Sequence, residues 1–248
     1  MRTYQTTVEI DYRETARFFQ GRGRRIKEVG PLSAVLYQDR RPDLAARRSA
    51  HELARIAPLL TLGRSGLSVL DVGCGTGRWA AALDHALGAY RGLDFCADFL
   101  EQARAAVQTL PGPGRFQFEC ADLAQGLPDL GADDSFDIVV MAGVLLYLND
   151  NDAHRLLRQI GKRLRPGGTI YLREPLGVEQ RLTLCSHYSD ELASEYSSIY
   201  RSRAEFESML EDCARATGLE FRESGSLYPT ELDNRSDTRQ FFYLLDRR

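Results

Sequence analysis

Residues 69–79 read VLDVGCGTGRW, from Val69 to Trp79, and this stretch decides the fold. An apolar, partly β-branched run ends in three alternate glycines, Gly73, Gly75 and Gly77. A segment with Trp79, Leu83 and Leu87 on one face then follows, read as a helix ended by Gly88. Glycines so spaced mark a strand-to-helix turn whose backbone can take positive φ and come close to a ligand. Outward from this turn, short β-branched or aromatic runs recur: LSVLDV at 67–72, AYRGLD at 89–94, RFQFE at 115–119 and FDIVVM at 136–141. Between them lie amphipathic segments, one presenting Leu100, Ala103 and Val107, another Ala153, Leu156, Leu157 and Ile160 before a Pro-Gly-Gly turn at 166–168. Strands alternating with helices build an α/β fold on a parallel sheet, and these apolar positions are its core.

The flanks read differently. Up to about Gly66 the pattern is helical, as in Tyr12, Ala16, Phe18 and Phe19, then Leu53, Ile56, Leu59 and Leu60. After the fifth strand candidate, LRPGGTIYLREP, comes a long aromatic segment from Leu176 to Ser202. In it, Ser189 ahead of Asp190 and Glu191 predicts a helix start, with Leu192, Tyr196, Ile199 and Tyr200 on one face. Ser202 and Glu205 form a capping box for a helix carrying Phe206, Met209, Leu210 and Cys213, closed by Gly218. RQFFYLLD at 239–246 is the last strand candidate. The expected division is a helical cap at 1–66 and a sheet domain at 67–248, with a lid insertion at about 176–202.

Composition narrows the function classes. The 32 basic and 35 acidic side chains give a net charge of −3 without a basic stripe, which argues against nucleic acid as substrate. All the basic residues but Lys27 and Lys162 are arginine, a bias read as GC-rich coding rather than as anion recognition. Cys74, Cys96, Cys120, Cys185 and Cys213 have no CxxC spacing and are odd in number, so they read as small core residues in a reducing compartment. The chain begins MRTYQTTVEI, without a basic-then-apolar leader, and no apolar stretch approaches eighteen residues. The expectation is a cytoplasmic protein with no membrane partner, and a homo-oligomer is left open.

The GxGxG loop resembles motif I of the class I S-adenosylmethionine-dependent methyltransferases, the bacterial small-molecule type in particular. It departs from the dinucleotide fingerprint GxGxxG, which would place glycine where Arg78 stands. The resemblance implies that the loop, with Asp71, Gly73, Cys74, Gly75 and Gly77, wraps the methionine and ribose of the cofactor. Asp94, at the end of the second strand and followed by Phe95, can accept both ribose hydroxyls. Asp122 stands where the family accepts the adenine amino group, and Leu123 where a side chain packs on the ring. Ala142 and Gly143, in DIVVMAGVLLYL, stand where the family's loop passes the reactive sulfonium. The implied sheet is Rossmann-like, doubly wound and seven-stranded, in the order 3-2-1-4-5-7-6, with the last strand antiparallel.

Methyl transfer from a sulfonium is an in-line displacement, so the protein chiefly positions the nucleophile and excludes water, and no metal is expected. Tyr147, His154, Glu174 and His187 are the acid–base candidates, with Tyr147, Glu174 and His187 taken as the catalytic set. Each also has a bland role: Tyr147 packing with Leu146, His154 on a solvated helix face, and Glu174 orienting the cofactor or capping a helix. Tyr37, Tyr188, Tyr196 and Tyr200 are the candidate contacts to a small-molecule acceptor, with the N-terminal region and the insertion closing over it. Two alternatives stand beside this reading, a nicotinamide-dependent oxidoreductase and a catalytically silent protein of the same fold.

Overall fold

Two sheets run through the described residues of the computed structural model, 1–131 and 134–248. In chain order the N-terminal elements are β1 (Arg2–Tyr4), α1 (Tyr12–Arg24), α2 (Ile26–Val29), α3 (Pro31–Leu36) and α4 (Pro42–Thr61). Then come β2 (Leu67–Val72), α5 (Arg78–Leu83), β3 (Leu87–Asp94), α6 (Ala97–Val107), β4 (Phe116–Cys120), β5 (Phe136–Ala142) and α7 (Asp150–Lys162). The rest are β6 (Leu164–Gly177), β7 (Leu182–Ser189), β8 (Ser194–Tyr200), α8 (Arg203–Thr217), β9 (Leu219–Ser226) and β10 (Thr238–Arg247).

The larger sheet has the order β4-β3-β2-β5-β6-β10-β9, and β10 runs antiparallel to both neighbours. Counting only its own strands, this is the doubly wound order 3-2-1-4-5-7-6. The strands hold the middle layer because successive side chains feed opposite cores. Val69, Ile138, Val140, Phe242 and Leu244 enter one core with Ile56, Leu60, Trp79 and Leu83. Leu70, Val139, Met141, Tyr243 and Leu245 enter the other with Leu156, Ile160, Phe206 and Leu210. Helix α4 therefore packs into the sheet's own core. The strand order turns back between β2 and β5, and at that switch point the loops diverge and leave a crevice at the strands' C-terminal ends.

The insertion is not helical. Residues 182–200 form the hairpin β7–β8, and β1 adds to it antiparallel, with Arg2 opposite Leu184, as a three-stranded sheet. Ser189 does accept a hydrogen bond from the Leu192 N–H (3.4 Å), the contact an N-cap would make, but the chain turns back through Ala193 at φ +46°. Cap chemistry is shared by turns and helices, and here strand pairing decides. Leu87, read as the end of a helix, instead opens β3.

The hairpin and α1 share a third core of Phe18, Phe19, Leu146, Tyr147, Leu182, Leu184, Tyr196 and Tyr200, which seats this cover over the crevice. Arg201 locks the base of the cover. It donates to the carbonyls of Leu145 and Leu148 (2.7 Å each) and pairs with Asp150 (2.8 Å). No helix among the described residues is long and apolar enough to cross a membrane.

Candidate functional site

The site begins where β2 ends. The N–H groups of Gly73 and Cys74 donate to the Leu93 carbonyl (2.8 and 2.9 Å), which folds the loop back across β3. Asp94 then fastens it, one carboxylate oxygen accepting from the Gly75 N–H and the other from the Cys96 N–H, both at 2.9 Å. Gly73 and Gly75 sit at φ +74° and +53°. A Cβ at Gly73 would overlap Val144, and one at Gly75 would come within 2.9 Å of Val35 on α3. Burial pushes Asp94 up to about 6, against the pull of the Cys96 and Gly75 N–H groups. Asp71 lies below, accepts the Tyr90 hydroxyl and is pushed up by burial to about 7.

A cavity of about 250 Å³ opens above this loop. Asp71, Gly73, Cys74, Gly75, Asp94, Phe95, Asp122, Leu123, Ala142 and Gly143 all line it, and Tyr12 and Phe19 of α1 close one side. Asp122 is exposed and uses one oxygen to cap the turn at Ala124 (3.0 Å), so it both ends a turn and faces the cavity. Gly77, expected in the cofactor set, does not line it. Its positive φ of +79° starts α5, and a Cβ there would sit 3.0 Å from that of Ala103, so this glycine lets α5 and α6 approach closely.

A second cavity, of about 370 Å³, shares Val35, Tyr37, Ala142, Gly143, Tyr147 and Arg173 with the first, so the two meet at the end of β5. His187, Tyr188, Tyr196 and Tyr200 line it as well, with Tyr188 at its mouth, 55% exposed. Burial raises the pKa of Tyr37, Tyr147 and Tyr196, so these hydroxyls stay protonated and act as donors. Partial burial, with Arg2, the N-terminus and Arg235 adding repulsion, lowers that of His187 and favours its neutral imidazole.

Two candidates fall outside both cavities. His154 lies on α7. Glu174 is buried in β6, where it accepts from the backbone N–H groups of Val144 (2.9 Å), Leu145 (2.8 Å) and Leu146 (3.2 Å). Its carboxylate is spent on holding the loop that carries Tyr147. It is a positioning residue, not the acid–base group expected of it. Of the cysteines read as core, Cys120 is exposed.

The structure also brings forward residues that sequence reading passed over. Glu52 of α4 is fully buried, 2.8 Å from Arg78 and 3.4 Å from Arg173, and accepts the Tyr171 hydroxyl (2.7 Å). Burial alone would raise its pKa, but the two guanidiniums hold it low. Arg48, Glu52 and Ile56 repeat every fourth residue on the buried face of α4, and that spacing was the available signal. Among the described residues no three His, Cys, Asp or Glu side chains cluster as a metal site.

Residues 69–168 match the family model described as a methyltransferase domain. Over 131 residues it is 32% identical to phosphoethanolamine N-methyltransferase 1 of Triticum aestivum, a match covering 51% of this chain and 26% of that protein. Over 111 residues it is 37% identical to methyltransferase GfsG of Streptomyces halstedii, covering 44% and 38%. The chain thus spans well under half the length of these curated relatives. Its fold resembles that of magnesium protoporphyrin IX methyltransferase from Synechocystis PCC 6803, solved with bound SAM (TM-score 0.64, 19% identity, 98% and 100% covered). The matched residues hold the loop, Asp94, Asp122 and the β5 end, whereas the second cavity draws mostly on chain outside them.

Glu174→Ala should leave the N–H groups of Val144, Leu145 and Leu146, the last two buried, without their acceptor and cost about 2–5 kcal/mol of stability by urea denaturation. Amide exchange at Leu145 and Leu146 should quicken with it. Unchanged stability and exchange would contradict the positioning role.

Proposed function

We propose that the protein transfers a methyl group from S-adenosylmethionine to an oxygen or nitrogen of a small molecule. The observation that carries this reading is the continuity of the two cavities: a glycine loop closed by buried Asp94 opens, past Ala142, Gly143 and Tyr147, into a second chamber lined by tyrosines. A nucleoside fits the first cavity chemically, because Asp94 and Asp122 offer acceptors while Phe95, Phe99 and Leu123 offer apolar faces. Arg78 stands where the dinucleotide fingerprint has its third glycine, and its guanidinium pairs with Glu52 (2.8 Å), which disfavours a nicotinamide cofactor.

When bound, S-adenosylmethionine supplies an electrophilic methyl. The chain's residues do the rest. Asp94 accepts from the ribose hydroxyls, Asp122 and Leu123 hold the adenine, and the Gly73–Gly75 backbone and Asp71 hold the remainder. Phe19, Tyr37 and the hairpin exclude water, and the protonated Tyr147 hydroxyl steers the acceptor. His187, held neutral, takes the proton of a hydroxyl acceptor. The cover comprises α1–α3 with the β1–β7–β8 sheet, and the free cysteines suit a cytoplasmic setting.

Calorimetry with S-adenosylhomocysteine and NAD tests the cofactor assignment, with binding expected for the first only. Because a ligand that needs the Asp94 carboxylate competes with a proton taken up near pH 6, affinity should fall about tenfold from pH 8 to 5. Asp94→Asn should weaken binding at pH 8 and remove most of that slope. Tight NAD binding without a response to the nucleoside would overturn the reading.

The rate of methyl transfer to a hydroxyl acceptor should decline as pH falls through the His187 pKa, below the usual histidine range, as the imidazole gains its proton. His187→Gln should slow turnover and abolish that acid limb. An unaltered pH profile would remove His187 as the base.

A further inference from the structure

Among the described residues five arginines are buried: Arg22, Arg48, Arg173, Arg181 and Arg201. Four have a carboxylate against them, Arg22 that of Asp39 (2.7 Å), Arg173 that of Glu52 (3.4 Å), and Arg181 and Arg201 that of Asp150 (3.0 and 2.8 Å). Arg48 has none within 4.0 Å among the described residues. It donates instead to the Leu232 carbonyl (2.7 Å from Nε) and to the Asn234 amide oxygen (2.7 Å), and its Nη1 makes no hydrogen bond to the described protein. These acceptors and the Tyr228 ring beneath the guanidinium (5.3 Å) offset part of the cost of burying the cation, and a bound anion would offset the rest.

Arg48 faces the second cavity, and so do Arg41, Arg173 and Arg235. The carboxylates in the same wall are Asp190, which is exposed, and Glu191, which already accepts the Arg40 N–H (2.9 Å). Asp233 and Asp237 lie nearby but are drawn toward Arg239 (3.9 Å) and toward Arg2 and Arg235. The remaining polar groups are largely donors: Arg235 hydrogen-bonds the Tyr200 and Tyr196 hydroxyls (3.1 and 3.4 Å), and Arg173 donates to the Gln240 side chain (3.2 Å).

We propose that the second cavity takes an acceptor bearing a carboxylate or phosphate, which Arg48 and Arg235 hold away from the transfer point. This rests on the methyltransferase reading above and assigns its substrate class. The layout separates two ends. Gly143 and Tyr147 line both cavities, whereas Arg48, Asn234 and Arg235 line only the second. The anionic end is bound by guanidiniums fixed on α4 and the loop before β10, and the reacting atom is left to Tyr147 and His187, which line the same cavity. Guanidiniums bind oxyanions through paired, charge-assisted hydrogen bonds, which suits a planar carboxylate or a phosphate. The tyrosine walls favour an acceptor with a flat apolar body. The richness in arginine is therefore more than codon bias at this place, since bias does not bury a guanidinium without a carboxylate.

Benzoate, phenyl phosphate and benzamide, titrated calorimetrically with and without S-adenosylhomocysteine, test the proposal. At least one of the two anions should bind about tenfold or more tighter than benzamide, and Arg48→Gln should erase that preference. The more accessible Arg235→Gln should weaken it and keeps the test open if Arg48→Gln does not fold. Whichever anion binds more tightly tells carboxylate from phosphate. Anions that bind no better than benzamide, or a preference unchanged in folded Arg48→Gln and Arg235→Gln, overturn the assignment. Binding of S-adenosylhomocysteine is read separately, so loss of the cofactor assignment and loss of the anion assignment are distinguishable.

Discussion

The carboxylate of Asp94 joins the ends of two adjacent parallel strands by accepting one N–H from the loop after β2 and one from the start of α6. Everything that faces the crevice is placed relative to that joint. The loop it holds is stripped of side chains where Val144 and Val35 press on it, so the backbone itself forms the cavity floor. The same carboxylate is buried enough to be raised toward 6 and yet keeps an ordinary solvent pH on its ionised side. A structural fastener and the proposed ligand acceptor are thereby one group.

A second tier of charge holds the cover and the switch point in place. Glu174 gathers three N–H groups of the loop after β5, and Arg201 takes two of that loop's carbonyls, so the loop is gripped from both polarities. Glu52 ties α4 to the start of α5 through Arg78 and to β6 through Arg173. Breaking one partner of such a buried pair is far more damaging than its net contribution suggests, because the other charge stays desolvated. These fasteners make the two cavities parts of one rigid crevice, with Arg173 belonging to both walls.

The sheet and its loop were legible in the sequence because they obey local rules. Alternation marks strands, alternate glycines mark the turn, and an acidic residue at the end of the next strand marks the joint. What escaped depends on contacts between distant segments. Ser189-Asp190-Glu191 has helix-start chemistry, but pairing with β8 and with β1 at the other end of the chain makes it a hairpin turn. Gly77 looked like a third cofactor glycine, and only the approach of Ala103 reveals a packing role. Glu174 was visible as a carboxylate near a strand end, yet nothing local says that its oxygens are consumed by backbone. Arg48 could not be told from the many other arginines until its burial without a paired carboxylate set it apart.

On the proposed function, Asp94 and the loop it fastens form a nucleoside site that opens on a second cavity for the acceptor. A crystal structure of the protein with S-adenosylhomocysteine tests it most directly. The ribose hydroxyls are expected on the Asp94 carboxylate, the adenine beside Asp122 and Leu123, and the sulfur turned toward Gly143. A ligand seated in the second cavity, or a ribose that leaves Asp94 untouched, would contradict it.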